Sequence, residues 1–192
     1  MSGPNRTGII SHMTKFITVP NPILRKKSLP IVDNSEAKEL DKKLREAIIR
    51  KEGTVSGVGL AAVQIGIPKR AFVAYSKSSK KFLSFINPEI VWYSKRKNTG
   101  IPDSKNKLEG CLSVPGKWGL VSRSKKIKIV YEAPGGQKMT RSFSDQIATI
   151  IQHEYDHLNG ILFIDRILEQ KGKLFELVSD EEGKEYLREI KL

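Results

Sequence analysis

The sequence predicts an α+β fold in a single domain, with short antiparallel strands packed around a central helix carrying His-Glu-x-x-His, and with an N-terminal and a C-terminal helix. Three observations lead there. Helical apolar spacing stands toward both ends of the 192-residue chain, short strand-like runs fill its middle, and no repeat or linker divides it. An apolar fraction of 39% is enough to build one core at this length.

Residues 1–13, MSGPNRTGIISHM, are small, polar and aperiodic, and SHM before Thr14 reads as a cloning junction. They are taken as a leader, with a natural disordered extension as the rival reading, and His12 within them is set aside as a ligand. The domain proper runs over 14–192, its folded part starting near Phe16. Pro20, Pro22 and Pro30 impose an extended, turn-rich beginning. Residues 35–50 follow as a helix capped by Asp33 or Ser35, with Ala37, Leu40, Leu44 and Ile48 on one face and Gly53 as its stop.

From 70 to 143 the pattern changes to strands: AFVAY (71–75), FLSFI (82–86), EIVWY (89–93), IKIVYE (127–132) and MTRSF (139–143). APGG at 133–136 joins the last two as a hairpin, while 95–107, rich in Lys, Asn and Ser, reads as a polar loop. Residues 145–158 return to helical spacing after Ser144 as cap, with Ile147, Ile150, Ile151 and Leu158 apolar. A last helix is expected at about 180–190, following Asp180, because acidic residues in its first turn suit the helix dipole.

Thirty-four Lys and Arg against 21 Asp and Glu give a net charge of +13, a field that favours polyanions. The basic clusters lie at 25–27, 95–97 and 123–128, and each taken alone reads as solvated surface. None is interleaved with the aromatic residues that base stacking uses. No run approaches the ~18–20 apolar residues of a membrane span. The single cysteine, Cys111, rules out an internal disulfide and suits a reducing compartment.

The chemistry concentrates in QHEYDHLNG, 152–160. Residues four apart share one face of a helix, so His153 and His157 can direct both imidazoles at one divalent metal. Glu154 projects about 100° away and can act as a base without being a ligand. Ile150 and Ile151 set this face beside the buried stripe, where imidazoles need partners that a metal supplies. A catalytic site commonly takes a third protein ligand. One protease pattern would put a histidine at 163, where this chain has Phe163; another would use a later glutamate such as Glu176; the remaining choice is Cys111, a strong thiolate ligand.

GVGLAAVQIG (57–66), EGCLSVP (109–115) and QHEYDH (152–157) together resemble the three motifs of the peptide deformylases, G-x-G-x-A-A-x-Q, E-G-C-x-S and Q-H-E-x-D-H. The likeness runs from about Phe16 to the expected C-terminal helix. It implies a hydrolase that removes the N-formyl group from the formyl-methionine of nascent polypeptides and releases formate, in the cytosol of a bacterium rather than an organelle. It implies one divalent metal, iron(II) in preference to zinc, nickel or cobalt, held by Cys111, His153 and His157. Glu154 becomes the general acid–base for a metal-activated water. The Gln64 amide and the Leu112 N–H stabilise the oxyanion. Gly57, Val58, Gly59, Gly110 and Ile150 become substrate-binding residues, with the small glycines leaving room for a peptide to lie as an added strand. It also implies an ion pair of Asp156 with Arg123. Two features depart from the family: the segment 94–107 is long, and Trp118 stands where many relatives carry arginine. Trp118 either lines the substrate groove or packs under that segment.

Two rival readings remain at this level. A general metallopeptidase using only His-Glu-x-x-His leaves Gln64 and Cys111 idle, and a metal-stabilised rRNA-binding module has no need of Glu154. The basic clusters fit an active enzyme that meets the ribosome surface, with no membrane partner.

Overall fold

The computed structural model describes residues 15–49, 57–102 and 107–191. The reading of residues 1–13 as a leader and of Gly53 as a helix stop concerns residues outside these. Helix α1, Asn34–Ile48, begins where Asp33 accepts a bond from the Ser35 N–H at 2.9 Å, and it buries Ala37, Leu40, Leu44 and Ile48 as its spacing predicts.

The strands are β1 (Gly59–Ala61), β2 (Ala71–Ser76), β3 (Lys81–Tyr93), β4 (Lys97–Thr99), β5 (Glu109–Cys111), β6 (Val114–Gly119), β7 (Ser122–Ser124), β8 (Lys126–Glu132) and β9 (Lys138–Ser144). Helices α2 (Asp145–His157) and α3 (Phe163–Gln170) follow, then β10 (Leu174–Ser179) and β11 (Glu185–Ile190). Every pairing between these strands is antiparallel. A five-stranded sheet runs β1-β2-β3-β8-β9, a four-stranded sheet β11-β10-β6-β5, and β4 pairs with β7.

The large sheet lies between two helices, which explains why AFVAY is apolar throughout instead of alternating. Phe72 and Ala74 pack with Ile150 and Ile151 of α2, while Ala71 and Val73 pack with Leu40 and Leu44 of α1. Phe72 stacks on Phe85 with ring centroids 4.7 Å apart. The central helix is therefore clamped against β1 and β2, and a third cluster built on Leu162, Phe163 and Ile167 supports the smaller sheet.

Four expectations need correction. FLSFI and EIVWY belong to one strand, β3, because the break at Asn87-Pro88 is absorbed by register shifts against β8. The polar loop at 95–107 contains β4, since its Lys, Asn and Thr still pair along an exposed edge. Ser144 occupies the N-cap position of α2 but makes no side-chain cap bond. The C-terminal helix lies at Phe163–Gln170, and residues 180–190 form the turn and second strand of the β10–β11 hairpin instead. Asp180 does accept bonds from nearby N–H groups, from Glu182 at 3.1 Å and Lys184 at 2.8 Å, but these close a turn with Gly183 at φ +79. The chemistry that caps a helix here caps a turn.

Candidate active site

His153 and His157 lie one turn apart on α2, with ring centroids separated by 5.1 Å. The third donor comes from β5. A register shift between Gly110 and Cys111 interrupts its pairing with β6, a bulge of the kind that re-aims a side chain. Cys111 Sγ stands 3.2 Å from His157 Nε2, and one ligand atom from each of Cys111, His153 and His157 falls within 4.8 Å of the others. Glu176, the other third-ligand option, is committed elsewhere, to Lys117 at 2.6 Å and Arg188 at 2.7 Å. Phe163, standing where a protease histidine would be, stacks on His153 instead, with centroids 6.1 Å apart.

The residues behind the ligands are charged and buried. Glu109 accepts from His153 Nδ1 at 3.0 Å and from Arg123 at 2.6 and 2.9 Å. Arg123 also donates to Asp156 at 2.8 Å, which is the expected ion pair, and Arg166 of α3 bonds the same carboxylate at 2.7 and 3.1 Å. Burial alone would raise the Glu109 pKa, but the charge of Arg123 and the bonds from His153 and Arg123 hold it at about 2. An ionised Glu109 can only accept, so His153 carries its proton on Nδ1 and keeps Nε2 for a metal.

Burial lowers the His157 pKa well below the ordinary imidazole value, so this ring is neutral as a ligand must be. Its Nδ1 and Glu154 Oε2 are both buried without a hydrogen-bond partner among the described residues. A soft thiol donor and two imidazoles together suit a zinc- or iron-type divalent ion.

Glu154 is 4% exposed, and burial, partly offset by the charge of Arg123, pushes its pKa up to about 7. Gly59 matters to it directly, because a Cβ at that position would collide with the Glu154 carboxylate. The space kept by this glycine on that side is filled by the carboxylate. Gly57 is under no such pressure; a Cβ there would make ordinary contact with Leu112 at 3.6 Å.

Gln64 lies within the 3-10 turn Ala62–Ile65, its amide orientation set by the Ala61 N–H, which donates to Oε1 at 2.8 Å. Its Nε2 donates to Ser113 Oγ at 3.2 Å and approaches Cys111 Sγ at 3.5 Å.

A cavity of about 500 Å³ opens over these groups. Of the sequence-predicted site residues, Gly57, Val58, Gly59, Gln64, Gly110, Cys111, Leu112, Ile150, His153 and Glu154 all line it, and His157 is buried behind Cys111. Trp118 lines it too, and lies so close over Gly110 that a Cβ there would come within 2.8 Å of the indole nitrogen.

With this geometry in place, the profile of the family described as polypeptide deformylase matches residues 13–173. The chain belongs to the polypeptide deformylase family. It is 42% identical over 160 residues to the peptide deformylase of Syntrophomonas wolfei, covering 82% of this chain and 95% of that one. Among solved structures it is similar to the peptide deformylase of Thermotoga maritima, with TM-score 0.69 and 35% identity over 81% of this chain and 97% of the other. It is also similar to a Met-Ala-Ser-bound class I type b peptide deformylase of Acinetobacter baumannii, with TM-score 0.69 and 30% identity over 79% and 96%. As a deformylase, this chain is a metal-dependent hydrolase that removes the N-formyl group from formyl-methionyl polypeptides.

Two residues with work at the deformylase site carried no role in the sequence reading, although both stand in a recognised motif. Glu109 and Ser113 are the outer letters of E-G-C-x-S, and their tasks are to orient His153 and Gln64. Arg166 had no sequence signal, because its partner Asp156 meets it only when α3 folds back.

Proposed function

We propose that Cys111, His153 and His157 hold one iron(II) ion and that Glu154 is the general acid–base of the deformylation. The assignment rests on one observation: three donor atoms within 4.8 Å of one another, beside a buried carboxylate, at the floor of a peptide-sized cavity. A divalent metal bound there lowers the pKa of a water molecule toward neutrality. Glu154, with its pKa near 7, takes the proton of the attacking water and returns it to the departing amine. The Gln64 amide and the Leu112 N–H receive the charge that gathers on the formyl oxygen. Gln64 is held in advance by Ala61 and Ser113, so little reorganisation is left for the reaction itself.

Gly57, Val58, Gly59 and Gly110 form the walls along which the formyl-methionyl peptide extends, and Ile150 lines the pocket for the methionine side chain. The catalytic domain is assigned to residues 14–192. The basic clusters, in a chain of net charge +13, bring the enzyme to the ribosome surface in the bacterial cytosol, where nascent chains emerge. No helix among the described residues is long and apolar enough to cross a membrane.

Metal analysis of protein purified without oxygen, paired with formate release from a formyl-Met peptide, tests the assignment. One iron per chain is expected, with loss of metal in Cys111→Ala. Full metal content in that variant would refute the ligand set, and another metal supporting full turnover would refute the choice of iron.

A further inference from the structure

Trp118, at the cavity wall, belongs to the sheet that carries the C-terminal hairpin. Trp118 of β6 is paired with Gly110 of β5 on one side and with Phe175 of β10 on the other. Directly paired residues project to the same face of a sheet, and alternation along β10 adds Leu177 to that face. Leu177 is in turn paired with Leu187 of β11.

This face points away from α3. On the opposite face a Cβ on Gly119 would run into Ile167, and its strand partner Leu174 packs on the cluster that contains Ile167. Glu176, paired there with Lys117 and Arg188, braces the hairpin against β6 from behind.

The front carries an apolar stripe running outward from the cavity wall, Trp118, Phe175, Leu177, Leu187, bordered by Glu189, the strand partner of Phe175, which pairs with Lys173 at 3.1 Å. Leu177 and Leu187 are 39% and 38% exposed, and none of Phe175, Leu177 and Leu187 joins a buried cluster among the described residues.

We propose that this stripe binds the downstream part of the substrate polypeptide. The inference rests on the reading of the cavity as the formyl-methionyl groove, and continuity with that groove selects the occupant. A polypeptide anchored by its first residue and extended along Gly110 passes Trp118, which lies over that glycine. From β6 to β11 is two strand spacings, about 10 Å, or roughly three residues of extended chain. An apolar residue at the fifth or sixth substrate position therefore reaches Leu177 and Leu187. The enzyme reads chain length and downstream hydrophobicity as well as the formyl-methionine.

The test uses the metal-loaded full chain with three substrates: formyl-Met-Ala-Ser, and two formylated octapeptides carrying either Leu or Ser at positions five and six. Wild type should show a kcat/KM for the Leu octapeptide roughly tenfold above that for the Ser octapeptide, the scale of partly burying a leucine side chain. The double variant Leu177→Ser, Leu187→Ser should lose this preference, with the tripeptide rate reporting any damage to the catalytic centre. Equal values for the two octapeptides in wild type overturn the proposal without requiring any variant to fold. A preference that survives in the variant overturns it as well. So does a wild-type dimer in sedimentation that the variant dissolves, because a second copy then covers the stripe. No hydrolysis of the tripeptide by wild type would overturn the groove reading itself, and this inference with it.

Discussion

His153 Nδ1 lies 3.0 Å from Glu109 Oε2, and the carboxylate that orients this imidazole also forks the guanidinium of Arg123. The ligand helix α2 and the cysteine-bearing strand β5 are thus joined twice, by a metal site and by a buried ionic network behind it. Replacing Glu109 by Gln keeps the shape but removes the charge that holds the proton on Nδ1. Metal affinity should weaken by about 10- to 100-fold, as for other partners that orient ligands from behind. A chelator competition titration of the metal-free protein measures this, and unchanged affinity would separate Glu109 from the metal site.

The same carboxylate sets an acid limit on stability. Its folded pKa is about 2 against an ordinary 4.5, so the unfolded chain takes up the proton first. The contribution of Glu109 is complete above pH 4.5 and drains away as pH falls from 4.5 through about 2. Urea unfolding at stepped pH should show the stability gap between wild type and Glu109→Gln narrowing across that window. A gap that stays constant down to pH 2 would contradict the depressed pKa.

Arg123 and Arg166 both bond Asp156, yet their losses should differ. The Arg123 side chain is 5% exposed, and its removal leaves two carboxylates buried without their main partner; Arg166 is 30% exposed. Arg123→Ala should cost about 3–5 kcal/mol, and Arg166→Ala about 1 kcal/mol or less. For a chain of this size the first lowers Tm by roughly 10 °C and the second by no more than about 4 °C. Similar shifts in the two variants would mean that burial does not control this network.

Trp118 offers flat apolar area over Gly110 at the cavity wall, but not the paired, charge-assisted bonds of a guanidinium. The residue after formyl-methionine should therefore be preferred aromatic or apolar over acidic. Trp118→Arg should shift the kcat/KM ratio of formyl-Met-Phe to formyl-Met-Glu peptides toward the acidic one by roughly tenfold. Identical ratios in a folded variant would remove Trp118 from substrate contact.

What the sequence made legible was what periodicity or a contiguous motif can carry. The faces of α1 and α2 could be read from Leu40, Leu44, Ile150 and Ile151, because burial on one helix face repeats with the helix turn. The candidate metal donors could be proposed because His153 and His157 share a helix, and because Cys111 stands in a stretch that resembles a known motif. The hairpin β10–β11 was misread because Asp180 and the acidic residues after it suit a helix start as well as an Asx turn, and Gly183 decided between them. Strands β5 and β6 escaped notice because glycine, proline and a bulge break their alternation. Arg166 could not be foreseen, since its meeting with Asp156 depends on where α3 packs.

The role of Glu154 is tested most directly by measuring formate release and metal content together in wild type and Glu154→Gln. Both proteins should hold one metal ion per chain, because Glu154 lies beside the three donor atoms and is not among them. Wild type should deformylate formyl-Met-Ala-Ser, and the variant should be slower by about 100- to 10,000-fold, the range that general acid–base catalysis supplies. A metal-replete Glu154→Gln enzyme turning over at the wild-type rate would contradict the assignment.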